Sequence, residues 1–131
     1  MSLTGVAHNG VTRIGVTDQV VLVIGAGAIG LLATAVAKAL GATSVIVADI
    51  NKERLNLAKK MGADVTINCK EVDLHQEVFR LTNGDGVARL IEASGSSPLI
   101  NSCFKLLQKV YITPTTTKCV HPPLNNHVFK L

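Results

Sequence analysis

An apolar segment that leads directly into a glycine-rich turn constrains the fold of this chain more than any other feature. Residues Val20–Ile24 are all apolar, Gly25, Gly27 and Gly30 follow in a G-x-G-x-x-G pattern, and a second largely apolar segment extends to Leu40. This order predicts a β-strand, a tight turn and an α-helix within an α/β domain. The first N–H groups of such a helix have no partner within it, so the turn is a candidate phosphate-binding site.

Each glycine of the turn has a separate expected role. Gly25 permits the sharp turn from strand into helix, Gly27 lets a pyrophosphate approach the backbone, and Gly30 lets the helix pack close to the strand. Ala28 and Ile29 would line the approach to the phosphates. We therefore predict a dinucleotide site at these five residues. The alternative is a turn in an ordinary α/β protein whose glycines serve packing alone.

An acidic residue, Asp49, follows the next apolar run, Ser44–Ala48, and comes 19 positions after Gly30. At the end of a second strand its carboxylate can accept hydrogen bonds from the hydroxyls of an adenosine ribose, and its charge would repel a 2′-phosphate. This favours NAD over NADP as the cofactor. Two points weigh on the other side: Asp49 can also serve the start of a helix at Asn51, and Arg54 could accommodate a 2′-phosphate.

Strand and helix patterns alternate along the chain, which predicts a Rossmann-type, doubly wound parallel sheet of the α/β class with strand order 3-2-1-4-5. In such a sheet, ligands bind beyond the carboxyl ends of the strands. The glycine turn, Asp49 and Ala93–Gly95 should therefore meet in one crevice. The predicted strands are Val20–Ile24, Ser44–Ala48, Asp64–Ile67, Val87–Glu92 and Val110–Thr113, and the predicted helices are Ala28–Leu40, Asn51–Met61, Asp73–Thr82 and Pro98–Gln108.

Composition and charge narrow the class of protein. With 131 residues, 47% of them hydrophobic, the chain fits one domain. We assign residues 20–131 to an incomplete NAD-binding domain and residues 1–19 to a vector-derived remnant and a linking helix. The net charge is +4, but the basic residues are dispersed along the sequence, so we expect no nucleic-acid partner. No apolar run approaches the ~20 residues of a membrane span, and no signal peptide is recognisable, so we expect no membrane partner.

The three cysteines, Cys69, Cys103 and Cys119, are widely spaced and form no C-x-x-C motif. This pattern predicts reduced thiols and a cytoplasmic location. Cys119, His121 and His127 are close in sequence, but a structural zinc site needs a fourth ligand, for which we find no convincing candidate. We therefore predict neither a metal site nor a catalytic residue in this chain.

Several of these motifs occur together in one known family. The chain resembles the zinc-dependent medium-chain dehydrogenases over nearly its whole length, and most closely their polyol (sorbitol-type) and threonine 3-dehydrogenase members. The resemblance rests on Val20–Gly30, Asp49 with Arg54 and Leu55, Ala58–Asp64, Gly84–Val87, Glu92–Gly95 and Asn126–Lys130.

The resemblance implies a role for each matched residue. It implies NAD as the cofactor, with the pyrophosphate on the glycine turn and the adenosine ribose on Asp49. Arg54 would lie against the adenine end, Ala93, Ser94 and Gly95 would border the middle of the cofactor, and Ile112 and Thr113 would approach the nicotinamide.

The resemblance also implies what this sequence leaves out. Members of the family hold a catalytic zinc in a separate, largely N-terminal catalytic domain, and we find no such ligand set here. We therefore expect the chain to bind NAD and to catalyse no reaction by itself. The sixth strand of the family would only begin at Phe129 and Lys130, and is thus truncated. The fifth strand would then be an exposed edge, at which two copies could pair as a homodimer.

Two other functions stay open at this point. A non-enzymatic NAD-sensing regulatory module would share the glycine turn and Asp49, although we would not expect it to share Lys60–Asp64 or Asn126–Lys130. A methyltransferase that uses S-adenosylmethionine also suits an acidic residue after its second strand.

Overall fold

The computed structural model describes residues 3–94 and 128–130. Five parallel strands form one sheet in the order β3-β2-β1-β4-β5, with helices on both faces. The predicted α/β fold is thereby confirmed for the described residues. In chain order the elements are α1 (Leu3–Ile14), β1 (Val20–Ile24), α2 (Ala28–Ala39), β2 (Ser44–Asp49), α3 (Lys52–Met61), β3 (Val65–Asn68), α4 (Leu74–Leu81), β4 (Arg89–Glu92) and β5 (Val128–Lys130).

The central strands β1 and β2 are buried on both faces, as expected for parallel strands between two layers of helices. Successive residues point to opposite faces. Val21 and Val23 join a cluster with α1, α2 and α3, whereas Leu22 and Ile24 join a cluster with α4. Because β1 is in register with both β2 and β4, the carboxyl ends of these three strands lie side by side.

Capping residues set the ends of the helices. Asn51 and Asp73 precede α3 and α4, and their side chains accept hydrogen bonds from the N–H groups of Arg54 (3.1 Å) and Gln76 (3.0 Å). Each helix therefore begins one residue later than predicted, because these residues have extended backbone angles. Gly62 ends α3 with a φ of 117°, in the left-handed region that favours glycine.

Helix α1 packs along α2 and forms part of the core. Ala7 and Val11 on α1 are buried together with Val16, and Arg89 Nε at the start of β4 donates a hydrogen bond to the Gly15 carbonyl (2.9 Å). The helix that we assigned to a linking segment thus shares a core with the strands. Within the described residues, no helix is long and apolar enough to cross a membrane.

The strand beside β4 differs from the predicted one. β5 pairs with β4 in parallel, with Val128 opposite Leu90 and Lys130 opposite Glu92. The segment expected to begin a truncated sixth strand therefore holds the fifth position. β5 supplies hydrogen-bond partners for the backbone groups on the second edge of β4, and a segment that pairs with a strand need not follow it closely in sequence. The predicted Pro98–Gln108 helix and Val110–Thr113 strand lie outside the described residues.

Candidate functional site

The carboxyl ends of β1, β2 and β4 bring several predicted site residues to one edge of the sheet. After β1, the Gly25 N–H donates a hydrogen bond to the Ala48 carbonyl of β2 (2.8 Å). After β4, the Ala93 N–H donates to the Ile24 carbonyl of β1 (2.8 Å). The glycine turn, Asp49 and the Ala93–Ser94 segment therefore lie together at this edge, whereas Gly95, Ile112 and Thr113 lie outside the described residues.

Gly25 and Gly30 are glycines because the protein itself leaves no room for a side chain. A Cβ on Gly25 would lie 2.8 Å from the Ser94 nitrogen, and the φ of Gly25 is 100°, in the left-handed region. A Cβ on Gly30 would lie 1.8 Å from the Gly25 carbonyl oxygen. The obstructing atoms belong to the backbone of a close-packed interior and cannot rotate aside as a side chain does. Packing alone explains these two glycines.

Gly27 differs because nothing in the described protein excludes a side chain there. No atom of residues 3–94 or 128–130 lies within 4 Å of the position that its Cβ would take. Its φ of −75° and ψ of −170° are extended angles that any residue adopts. The bare backbone therefore faces open space. Packing accounts for Gly25 and Gly30 and gives no reason for Gly27.

Helix α2 begins beside this bare backbone. The Leu31 N–H donates to the Gly27 carbonyl (2.9 Å), and no side chain caps the helix start. The N–H groups of Ala28, Ile29 and Gly30 precede that bond and have no partner within the helix. No acidic side chain occupies the first turn. The end of α2 therefore carries partial positive charge beside an open space, an arrangement suited to a phosphate group.

Asp49 is hydrogen-bonded to the backbone through both carboxylate oxygens. Oδ2 accepts from the Ala26 N–H of the glycine turn (2.7 Å), and Oδ1 accepts from the N–H groups of Ile50 (2.6 Å) and Asn51 (2.9 Å). These bonds join the glycine turn to the end of β2 and support the connection into α3. A carboxylate offers about four acceptor positions. Capacity for a further donor, such as a ribose hydroxyl, therefore remains at Oδ2.

Two exposed side chains follow Asp49 in the sequence. Arg54 is exposed on the first turn of α3. Ile50 is 57% exposed although it is apolar, and it offers a surface against which a flat ring could pack. The sequence signal for Ile50 was weak: it is an apolar residue placed directly after the strand, where the core no longer needs one.

Cys69 follows β3 near the same edge, where its N–H donates to the Asp49 carbonyl (3.0 Å). Burial raises the pKa of its thiol, and the charges of Asp49 and Asp73 raise it further. Because the thiolate is the nucleophile and the metal ligand, this environment disfavours the reactive form of Cys69. Among residues 3–94 and 128–130, no three His, Cys, Asp or Glu side chains are placed to hold a metal ion.

A shallow cavity of about 200 Å³ opens near the opposite edge of the sheet. Its lining includes Val20, Ser44 and Val65 at the strand beginnings, and Thr82 and Asp85 after α4. Parallel sheets of this kind bind ligands at their carboxyl edge. This cavity therefore does not belong to the candidate site.

Comparison with known proteins gives a family match. Residues 28–110 match the model of the family described as zinc-binding dehydrogenase. An alcohol dehydrogenase from Cupriavidus necator is 44% identical over 102 residues, which are 78% of this chain and 27% of that protein. An L-threonine 3-dehydrogenase from Pyrococcus furiosus is 49% identical over 81 residues, which are 62% of this chain and 23% of that protein.

The solved structures agree with the sequence matches. The alcohol dehydrogenase TADH from Thermus sp. ATN1 superposes with a TM-score of 0.79 at 25% identity, covering 99% of this chain and 40% of that one. Of the two curated relatives named above, this chain spans about a quarter of the length, 27% and 23%.

Proposed function

Because this chain belongs to the zinc-binding dehydrogenase family, as its sequence motifs predicted, we propose that its glycine turn and Asp49 bind NAD. One observation carries the proposal. Gly27 presents backbone without a Cβ to open space, beside the uncapped start of α2. A pyrophosphate is the part of a dinucleotide that uses such a position, because it needs close approach to backbone N–H groups.

Each part of the cofactor has its own residues in this proposal. The pyrophosphate accepts hydrogen bonds from the first N–H groups of α2, and the adenosine ribose donates to Asp49 Oδ2. The adenine lies between Arg54 and the exposed face of Ile50. The remaining assignments keep to the family resemblance: Ala93, Ser94 and Gly95 border the middle of the cofactor, and Ile112 and Thr113 border the nicotinamide.

Charge at the ribose supports NAD rather than NADP. The Asp49 carboxylate would lie against the 2′-position, where a phosphate would be repelled. The positive charge of Arg54 would favour the 2′-phosphate of NADP. Its side chain is exposed on α3, however, where water and salt screen that charge. The carboxylate that ends β2 therefore decides the preference.

The described residues bind and orient a cofactor, whereas alcohol activation is not assigned to them. NAD itself supplies the chemistry, as an acceptor or donor of hydride. The family carries zinc in its name, yet no donor set for a metal ion exists among the described residues. We therefore propose that this part of the chain contributes cofactor binding to a dehydrogenase and is inactive without a catalytic domain.

Calorimetric titration of the 131-residue chain with NAD and with NADP tests the function. NAD should bind with the lower Kd. Circular dichroism and urea unfolding confirm in parallel that the sample is folded. A folded sample that binds no NAD, or that binds NADP more tightly, would refute the proposal.

Two further parts of the proposal concern partners and location. From the family resemblance we propose a homodimer formed by pairing at the sheet edge, where β5 (Val128–Lys130) is the outermost of the described strands beside β4. Light scattering after size exclusion measures its mass directly. A cytoplasmic location is supported by Cys69, which is a free thiol.

A further inference from the structure

A carboxyl group is completely buried at the end of β4. Glu92 is 0% exposed. Its Oε1 accepts hydrogen bonds from the Ser94 N–H (2.8 Å) and from the Ser94 hydroxyl. Its Oε2 is buried and has no hydrogen-bond partner in the described part of the chain. A buried polar atom without a partner costs folding free energy, so the Oε2 atom offsets part of the stability that the hydrogen bonds of Oε1 contribute.

Residues 92–94 pack against the glycine turn. Glu92 fixes Ser94, and the Ala93 N–H is bonded to β1 at Ile24 (2.8 Å). Backbone atoms of Ala93 and Ser94 would lie 2.8–3.0 Å from a Cβ placed on Gly25. The 92–94 segment therefore lies directly against Gly25, the first residue of the turn.

The glycine turn in turn packs against the start of α2. The Gly25 carbonyl oxygen would lie 1.8 Å from a Cβ on Gly30, so the turn is packed tightly between the 92–94 segment and the first turn of the helix. A shift of Ser94 away from Gly25 would leave this side of the turn unsupported. The N–H groups at the start of α2 would then lose their fixed direction.

We propose that Glu92 is a positioning residue for the cofactor, which holds Ser94 against Gly25 and so keeps the glycine turn in the conformation that receives a pyrophosphate. This inference rests on the proposed NAD function. Glu92 is buried and acts through Ser94 rather than by touching the cofactor. Its effect falls on the pyrophosphate and nicotinamide half, because the adenosine half lies at Asp49 on β2.

A purely structural role for Glu92 is the competing explanation. Lys130 stands opposite Glu92 in the register of β4 and β5, so Glu92 could serve the pairing of these strands. The two explanations differ in what they predict for ligands. If Glu92 serves strand pairing, its substitution should lower NAD affinity only where it also lowers the stability of the fold. If Glu92 positions the turn, NAD affinity should fall while stability is kept.

Glu92→Gln and Glu92→Met in the 131-residue chain distinguish these explanations. Glutamine keeps an oxygen that accepts from Ser94, whereas methionine has a similar length and only a weak acceptor. Urea unfolding gives stability, and calorimetry gives Kd for NAD and for adenosine, which carries no phosphate. We expect Glu92→Met to weaken NAD binding about tenfold, the change that the loss of one or two ordinary hydrogen bonds would produce. Adenosine binding by Glu92→Met and NAD binding by Glu92→Gln should stay within about twofold of wild type.

The urea midpoint of Glu92→Met should stay close to that of wild type, because removing the unpartnered Oε2 offsets the loss of the acceptor Oε1, whose donor residue Ser94 is exposed to water. Equal losses of NAD and adenosine affinity that follow a lower midpoint would overturn the positioning role, as would a Lys130→Met chain that reproduces the NAD effect. If Glu92→Met does not fold, Glu92→Leu is measured with the same criteria. A wild-type chain that binds no NAD refutes the proposed function instead, so the two failures are distinguishable.

Discussion

Alanine substitutions at the three glycines of the turn should separate folding from cofactor binding. A Cβ on Gly30 would lie 1.8 Å from a backbone oxygen, so backbone must move, and we expect a loss of more than ~3 kcal/mol, the upper end for overpacking. At Gly25 the Cβ contacts of 2.8–3.0 Å cost about 1–3 kcal/mol, and the positive φ adds about 1–2 kcal/mol. Either loss is large against a total stability of about 5–15 kcal/mol.

Gly27→Ala should leave stability nearly unchanged. The methyl group meets no atom of the described protein, and restricting the unfolded chain contributes about 0.4–1 kcal/mol of stability. Alanine is a poorer N-cap than glycine by a similar amount, of order 0.5–1 kcal/mol, so the two effects offset. The methyl group would occupy the space assigned to the pyrophosphate. We therefore expect NAD affinity to fall about 5- to 150-fold, as for overpacking by about 1–3 kcal/mol.

Urea unfolding and calorimetric titration with NAD measure the two effects on the same samples. Gly84→Ala is the matched control, because Gly84 has a φ of 85° and no atom within 4 Å of its Cβ position. It should lose stability from backbone strain and keep NAD affinity. A Gly27→Ala chain that binds NAD as wild type does would contradict the ligand explanation of the open space. Equal destabilisation at all three turn glycines would contradict the packing argument.

Three further predictions concern Asp49, Asp64 and Asp73. Asp49→Asn should raise the affinity for NADP relative to NAD about tenfold in paired titrations, since a charge beside the 2′-position is removed. Partial burial alone would raise the pKa of Asp64, but hydrogen bonds from Lys38 and the Val45 N–H lower it overall. This carboxylate should therefore stabilise the fold above pH ~4, and the advantage of wild type over Asp64→Asn in urea should shrink as the pH falls below that value. Asp73→Ala removes the N-cap of α4 and should cost about 1 kcal/mol in thermal unfolding, with NAD affinity unchanged.

The first βα unit could be predicted to within a residue because its signals are local. Two-sided burial requires the continuous apolar run of β1, and the glycine spacing marks the start of α2. The starts of α3 and α4 were each off by one residue. Asn51 and Asp73 belong to the helix signal in sequence, but as caps they have extended backbone angles.

The fifth strand could not be assigned from sequence because its signal is not local. β5 has three residues, too few for a period of two to be recognised. Its place beside β4 depends on hydrogen bonds between segments far apart in the chain. Chain order therefore predicted the topology of the sheet better than it predicted which segment completes it.

Part of the candidate site could also be predicted from the sequence, and part could not. The spacing of the glycines and of Asp49 predicted that they meet at the carboxyl edge, because parallel strands place their ends together. Sequence could not distinguish Gly27 from the other two glycines. That distinction depends on the atoms of Ser94 and of Gly25 itself, which approach from other segments. The burial of Glu92 and the exposure of Ile50 are likewise properties of the assembled edge.

The bonds of Asp49 determine how its substitution must be interpreted. Both oxygens accept backbone N–H groups, one of them from Ala26 in the glycine turn. In Asp49→Asn, an amide N–H₂ must replace one of these acceptors and face a backbone donor, so the turn is disturbed and affinity for NAD and NADP falls together. A loss of NAD affinity alone therefore does not demonstrate a ribose contact. Only the ratio of the two affinities reports the charge at the 2′-position, and an unchanged ratio would leave Asp49 with its backbone role alone.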